Sequence, residues 1–162
     1  MSSATLEHLQ LQYEIDQLNA AYAAALDEKR FSDWPEFFVE DGRYILQARE
    51  NFDHGLPLAL MDLESRGMMK DRVYGITQTI YHAPYYTRHV ISPARVLADS
   101  DEIIKVEANY AVFRTRPASV SEVYNVGRYV DEIVRTEGGL KFRRRLCVYD
   151  SEMILNSLIY PV

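Results

Sequence analysis

At 162 residues, 48% hydrophobic and 26% charged, the chain has the length and composition of one soluble globular domain, not of a disordered or low-complexity segment. Residues 1–80 carry 7 basic and 14 acidic side chains and residues 81–162 carry 11 and 10, a net charge of −6 with no Lys/Arg surplus to track phosphates; nucleic acid is not an expected partner. The single Cys147 excludes a disulfide framework and a Cys-rich metal or iron–sulfur site in this chain, while the absence of a long apolar run and of a signal-peptide pattern leads to a cytoplasmic expectation without a membrane.

Leu11, Ile15, Leu18, Tyr22 and Ala25 recur at steps of four and three, predicting an amphipathic helix that stops near Lys29, with Leu9 and Leu26 broadening its apolar stripe. Asp33 is placed to cap a second, shorter helix, with Pro35 in the first turn, Glu36 three residues after the cap, and Trp34, Phe37 and Phe38 on the buried side. Asp41-Gly42 breaks that pattern, and residues 43–48 have the composition of a short strand. Residues 51–57 read as a loop, and residues 58–73 as a helix interrupted near Gly67. Residues 74–86 hold Tyr74, Tyr81, His82, Tyr85 and Tyr86 without one charged side chain, so this stretch is expected to be buried or to meet a partner.

From Arg88 onward the period becomes two. Ile104, Val106, Ala108, Tyr110 and Val112 alternate with polar or small residues, and Leu140, Phe142, Leu146 and Val148 alternate with Lys141, Arg143, Arg145 and Cys147. Turn residues separate the runs at 99–101, 116–119 and 137–139, and Gly127 suggests a bulge inside the third. Helices first and about four long antiparallel strands afterwards give an α+β fold: one domain over residues 1–162, with a strongly curved antiparallel sheet packed on the N-terminal helices.

Chemistry-bearing patterns are sparse. His8, His54, His82 and His89 form neither an HxxxH nor an HExxH spacing, and no GxSxG elbow, P-loop or GxGxxG is present. The remaining enzymatic candidate is a general acid–base trio of Asp41, Tyr44 and His89 at the mouth of the cavity that a curved sheet would enclose. In the basic run 141–145, Arg144 falls on the apolar side with Phe142 and Leu146, where a buried guanidinium needs a carboxylate such as Asp131 or Glu132.

Several segments then resemble one family, the small (β) subunits of bacterial Rieske non-haem iron aromatic-ring-hydroxylating oxygenases. They are Phe31-Ser32-Asp33-Trp34-Pro35-Glu36-Phe37-Phe38 with Asp41-Gly42 and Tyr44, Arg49-Glu50-Asn51, and Gly67-Met68-Met69-Lys70-Asp71-Arg72-Val73. Tyr86-Thr87-Arg88-His89, Gly127-Arg128-Tyr129-Val130-Asp131 and Gly138-Gly139-Leu140-Lys141 through Arg144-Arg145 complete the set. The stretches 49–51 and 74–89 are most similar to the small subunits of salicylate 5-hydroxylase and of anthranilate or terephthalate dioxygenases.

The resemblance implies the cone fold of the nuclear transport factor and ketosteroid isomerase type. It implies a non-catalytic subunit with no cofactor of its own, in an oxidoreductase acting on an aromatic carboxylate such as salicylate, anthranilate or terephthalate. The large (α) subunit would hold a two-iron, two-sulfur Rieske cluster and a mononuclear iron, with electrons from NAD(P)H through a reductase, with or without a ferredoxin. Three large and three small subunits would form a hexamer. The residues expected at subunit interfaces are Tyr81, Tyr85, Tyr86, Arg88, Arg144 and Arg145. The competing reading is a stand-alone cone-fold isomerase, dehydratase or cyclase using Asp41, Tyr44 and His89.

Overall fold

The computed structural model describes residues 3–153 and 158–162. Helix α1 (Ser3–Asp27) buries Leu11, Ile15, Tyr22, Ala25 and Leu26, as its periodicity predicts, but leaves Leu9 exposed. It closes as a Schellman motif: Lys29 turns left-handed (φ 59°), and the Arg30 N–H reaches back 2.8 Å to the Ala25 carbonyl. The predicted second helix is a single 3₁₀ turn, Trp34–Phe37. Asp33 makes no capping bond there; its carboxylate pairs with Arg30 instead. Phe38 already belongs to strand β1 (Phe38–Ala48), whose pairing shifts register between Phe38 and Arg43. Gly42 lies in that irregularity, where a Cβ would stand 2.8 Å from the Val39 carbonyl oxygen.

Helix α2 (Arg49–Asp53) is one short turn, followed by strand β2 (Met61–Leu63) and helix α3 (Arg66–Tyr74). The helix expected over 58–73 therefore starts late. Ser65 caps it by accepting from the Met68 N–H at 3.2 Å, and Gly67 sits in its first turn without interrupting it. A π-turn (Gly75–Thr79) leads toward β3 (Tyr86–Ile91), β4 (Arg95–Asp99), β5 (Ile104–Thr115), β6 (Glu122–Thr136) and β7 (Gly139–Tyr149).

All seven strands form one sheet in the order β2-β1-β7-β6-β5-β3, with β4 also on β5. It is mixed, not purely antiparallel, because the first and last long strands, β1 and β7, run parallel side by side. Register shifts at Val112/Phe113 and Glu132/Ile133 bend the long strands around α1. Gly127 is not the bulge. It is required because a Cβ there would come within 2.0 Å of the Val148 carbonyl oxygen.

The shift opposite Glu132/Ile133 also reverses the faces of β7. Phe142 points inward, Arg143 is the extra residue, and from there Arg145 and Cys147 point inward while Leu146 and Val148 pack on the outer face with Ile45. The buried arginine is thus Arg145 and not Arg144, and it pairs with Asp131, one of the candidate carboxylates. A strict two-residue period cannot register an inserted residue, and every assignment after it slips by one.

Candidate functional site

The site to test first in a cone-shaped sheet is its interior, and here side chains of the described residues occupy it. Tyr22, Trp34, Phe38, Tyr44, Tyr110, Tyr129 and Phe142 are buried there in edge and stacked contacts, with Tyr110 and Tyr129 rings 4.3 Å apart. Segment 158–162 completes the packing, and all five of its residues are buried. Tyr44 Oη accepts from the Val162 N–H at 3.0 Å, Tyr22 Oη donates to the Val162 main-chain oxygen at 2.8 Å, and Arg72 Nη2 donates to the Leu158 and Ile159 carbonyls. Burial raises the Tyr44 hydroxyl above the usual tyrosine range, so it is a neutral hydrogen-bonding group and not a base.

At the centre lies an ion pair sealed from water. Arg145 Nη2 and Nε donate to Asp131 Oδ2 at 2.8 Å and Oδ1 at 3.2 Å, and Nη2 also donates to Asn19 Oδ1. The guanidinium carbon lies 3.9–4.3 Å from the ring centroids of Phe142, Tyr129 and Tyr22. Burial works against the guanidinium's charge, and the Asp131 carboxylate outweighs it and holds Arg145 protonated. Burial likewise pushes the Cys147 thiol up to about 12, with zero exposure. Native protein at pH 8 is accordingly expected to resist Ellman's reagent until it is unfolded; prompt labelling of the folded chain would contradict this packing.

Asp41, Tyr44 and His89 do not come together. Asp41 is exposed, Tyr44 is engaged with Val162 on β1, and His89 lies on β3 at the other end of the sheet. The partner of His89 is Asp27, the last residue of α1. His89 Nδ1–H donates to Asp27 Oδ1 at 2.6 Å, and the His89 main-chain N–H donates to Oδ2 at 2.9 Å. With Asp16 accepting from the Ala94 N–H and Gln12 donating to the Ala94 carbonyl, α1 covers the chain along the β3 edge. A shallow groove of about 470 Å³ runs between α1 and β3, lined by Ala20, Ala23, Asp27, Arg88 and His89. The imidazole itself is 0% exposed, so it presents no ring nitrogen directly to a ligand in that groove.

Burial pushes the Asp27 carboxyl upward, but the bonds from His89 outweigh it and hold the group below the usual carboxylate range. Its stabilisation is therefore complete above the unfolded pKa and lost as pH falls through the lower folded value. Urea melts between pH 2 and 6 are expected to lose stability below about pH 4 in wild type more steeply than in Asp27→Asn. Parallel acid limbs in the two proteins would contradict the assignment.

Of the expected interface residues, Tyr81, Tyr86 and Arg88 are exposed and Arg144 is half-buried. Tyr85 and Arg145 are instead buried within this chain. Tyr85 stacks on Tyr160 at 4.4 Å inside the fold, and Arg145 is the central ion pair. Among the described residues, no group of three or more His, Cys, Asp or Glu side chains is arranged to hold a metal ion, and no helix is long and apolar enough to cross a membrane. Asp27 and segment 158–162 are the contributors that the sequence reading missed. The uncharged run Leu158-Ile159-Tyr160-Pro161-Val162 was the available signal for the second.

Comparison with known proteins places this geometry. Residues 7–146 match the model of the SnoaL-like domain. The chain is 33% identical to the anthranilate 1,2-dioxygenase small subunit of Burkholderia cepacia, over 96% of this chain and 97% of that one. It is 25% identical to the terephthalate 1,2-dioxygenase terminal oxygenase component subunit β2 of a Comamonas species, over 92% and 97%. Among solved structures it superposes with a TM-score of 0.86 on the β subunit of a candidate aromatic-ring-hydroxylating dioxygenase from Novosphingobium aromaticivorans, 36% identical over 94% of this chain and 97% of that one.

Proposed function

The chain belongs to the SnoaL-like domain family and to the small (β) subunits of aromatic-ring-hydroxylating dioxygenases, and on that premise we propose that it is a structural subunit that assembles with and stabilises a catalytic large subunit. The observation that carries this reading is the filled interior. Where a cone-fold enzyme needs a chamber for substrate, this chain has stacked tyrosines, a sealed Arg145–Asp131 pair and its own residues 158–162.

The iron groups of a Rieske-type oxygenase do not fit this chain. A Rieske cluster takes two cysteines and two histidines, and the one cysteine present is sealed beside Val162. A mononuclear iron takes two histidines and a carboxylate on one face; His89 pairs with Asp27, and among the described residues no third ligand-type side chain joins them. In this reading the large subunit holds both groups, as the family relationship implies. The substrate is an aromatic carboxylate of the anthranilate, terephthalate or salicylate type, the assembly is a hexamer of three large and three small subunits, and its setting is the cytoplasm.

Affinity purification of the tagged chain from its native cell tests the reading. The expected product is a brown, stoichiometric complex with a larger protein, acid-labile sulfide and a Rieske electron paramagnetic resonance signal. A colourless, partner-free chain would overturn it.

A further inference from the structure

A second cleft lies on the outer face of the sheet, where loop 54–60 passes over β1 and β7. It encloses about 320 Å³ between Ile45, Leu146, Phe52 and Leu56, with Arg43 and Arg144 at its rim. The two arginines differ. Arg43 is held by Asp62 at 2.6 Å and by Glu64 at 3.7 Å, so its charge is met within the chain. Arg144 is half-buried opposite Glu132 in the strand register, yet its guanidinium joins no ion pair or side-chain hydrogen bond among the described residues.

Beside the cleft, Leu56, Leu58 and Leu60 are 50%, 70% and 48% exposed. They are not loosely held. The side chain of Gln47, itself 9% exposed, donates to the Leu56 carbonyl at 2.6 Å, Asn51 donates to the Leu58 carbonyl at 3.1 Å, and the Leu60 N–H bonds the Leu46 carbonyl at 2.8 Å. A buried amide is thus used to hold an apolar row toward solvent, an arrangement that costs solubility unless something covers it.

We propose that this cleft and its leucine row are a docking surface for the large subunit, and that the segment received there presents an apolar side chain next to a carboxylate. The apolar walls take the side chain, and Arg144 supplies the unpaired cation that the carboxylate meets. A single-ring ligand in 320 Å³ would leave the leucine row uncovered, whereas a protein segment covers both. The inference rests on the small-subunit reading and names the surface through which it operates.

The test measures binding of the separately purified large subunit to the full chain. Arg144→Glu and Leu58→Asp are each expected to weaken binding by about tenfold or more, with the chain's own melting temperature and self-association unchanged. Val120→Asp, at an exposed apolar position in the β5–β6 turn, is the control and is expected to change neither. Arg144→Gln is expected to weaken binding less than Arg144→Glu and to reduce its salt dependence. Folded variants that bind within about twofold of wild type overturn the docking site and leave the small-subunit reading standing. Loss of self-association with large-subunit binding retained assigns the cleft to a second copy and also overturns it. Wild-type chain that fails to bind the large subunit removes the small-subunit reading, and the docking site with it.

Discussion

Arg145→Met is expected to lower the unfolding free energy by about 3–5 kcal/mol, because it strands the Asp131 carboxylate, 0% exposed, without its counter-charge. The loss is larger than deletion of the Asp131 hydrogen bonds alone would give, since Asn19 and the Tyr22, Tyr129 and Phe142 rings are shaped around the same guanidinium. Burial already pushes the Asp131 carboxyl upward against the pull of Arg145, so without the arginine it is expected to take up a proton on folding. The double variant Asp131→Leu/Arg145→Met removes both charges and is expected to recover most of the loss. Equilibrium urea melts of the single and double variants decide the matter. A single variant within about 1 kcal/mol of wild type would show that the pair is not the sealed centre described above.

Removing residues 158–162 is expected to abolish cooperative folding. Leu158, Ile159, Tyr160 and Val162 are each less than a tenth exposed, and burial of one such apolar side chain contributes about 1.5–3 kcal/mol. Four of them together approach the roughly 5–15 kcal/mol of total stability that a domain possesses. The truncation also strips partners from Tyr22 Oη, Tyr44 Oη and Arg72 Nη2, all of which bond main-chain atoms of the segment. Tyr160→Ala, which removes only the ring stacked on Tyr85 and packed against Phe31, is the milder test and is expected to cost about 3–5 kcal/mol. A truncated chain that melts cooperatively near the wild-type temperature would show that the segment is a dispensable cover.

Physical periodicity explains which parts of this fold could be read in advance. The α1 stripe and the inward row Ile104, Val106, Ala108, Tyr110 and Val112 of β5 are uninterrupted patterns, and both lie where their periods put them. In β7 an inserted residue, Arg143, reverses the faces, so the buried arginine lies one position beyond the expected Arg144, and Asp131 is the one of its candidate carboxylates that it meets. The parallel pairing of β1 with β7 joins strands separated by nearly the whole chain, and no local signal carries it. Helix α3 was placed too early because Leu58 and Leu60 count as apolar in any window, although they point to solvent.

The candidate site was less legible than the fold. His89 stood out as an acid–base candidate, but its partner Asp27 lies 62 residues away at the end of α1, where a terminal acid reads as ordinary helix punctuation. Asp41 and Tyr44 looked like acid–base companions by residue type alone. Burial makes Tyr44 a hydrogen-bonding partner of Val162, and exposure leaves Asp41 in solvent. The family was visible because its short segments are spread over the chain in a fixed order, and the relationship holds over 96% of it.

The most direct test of the central claim is turnover of an aromatic carboxylate by the large subunit reconstituted with wild-type chain, with His89→Gln chain and with Tyr44→Phe chain, normalised to the amount of assembled complex. All three complexes are expected to turn over within about twofold of one another, and the chain alone is expected to have no activity. A loss of about tenfold or more in kcat with assembly intact, or turnover by the isolated chain, would contradict a structural role and place chemistry inside this subunit.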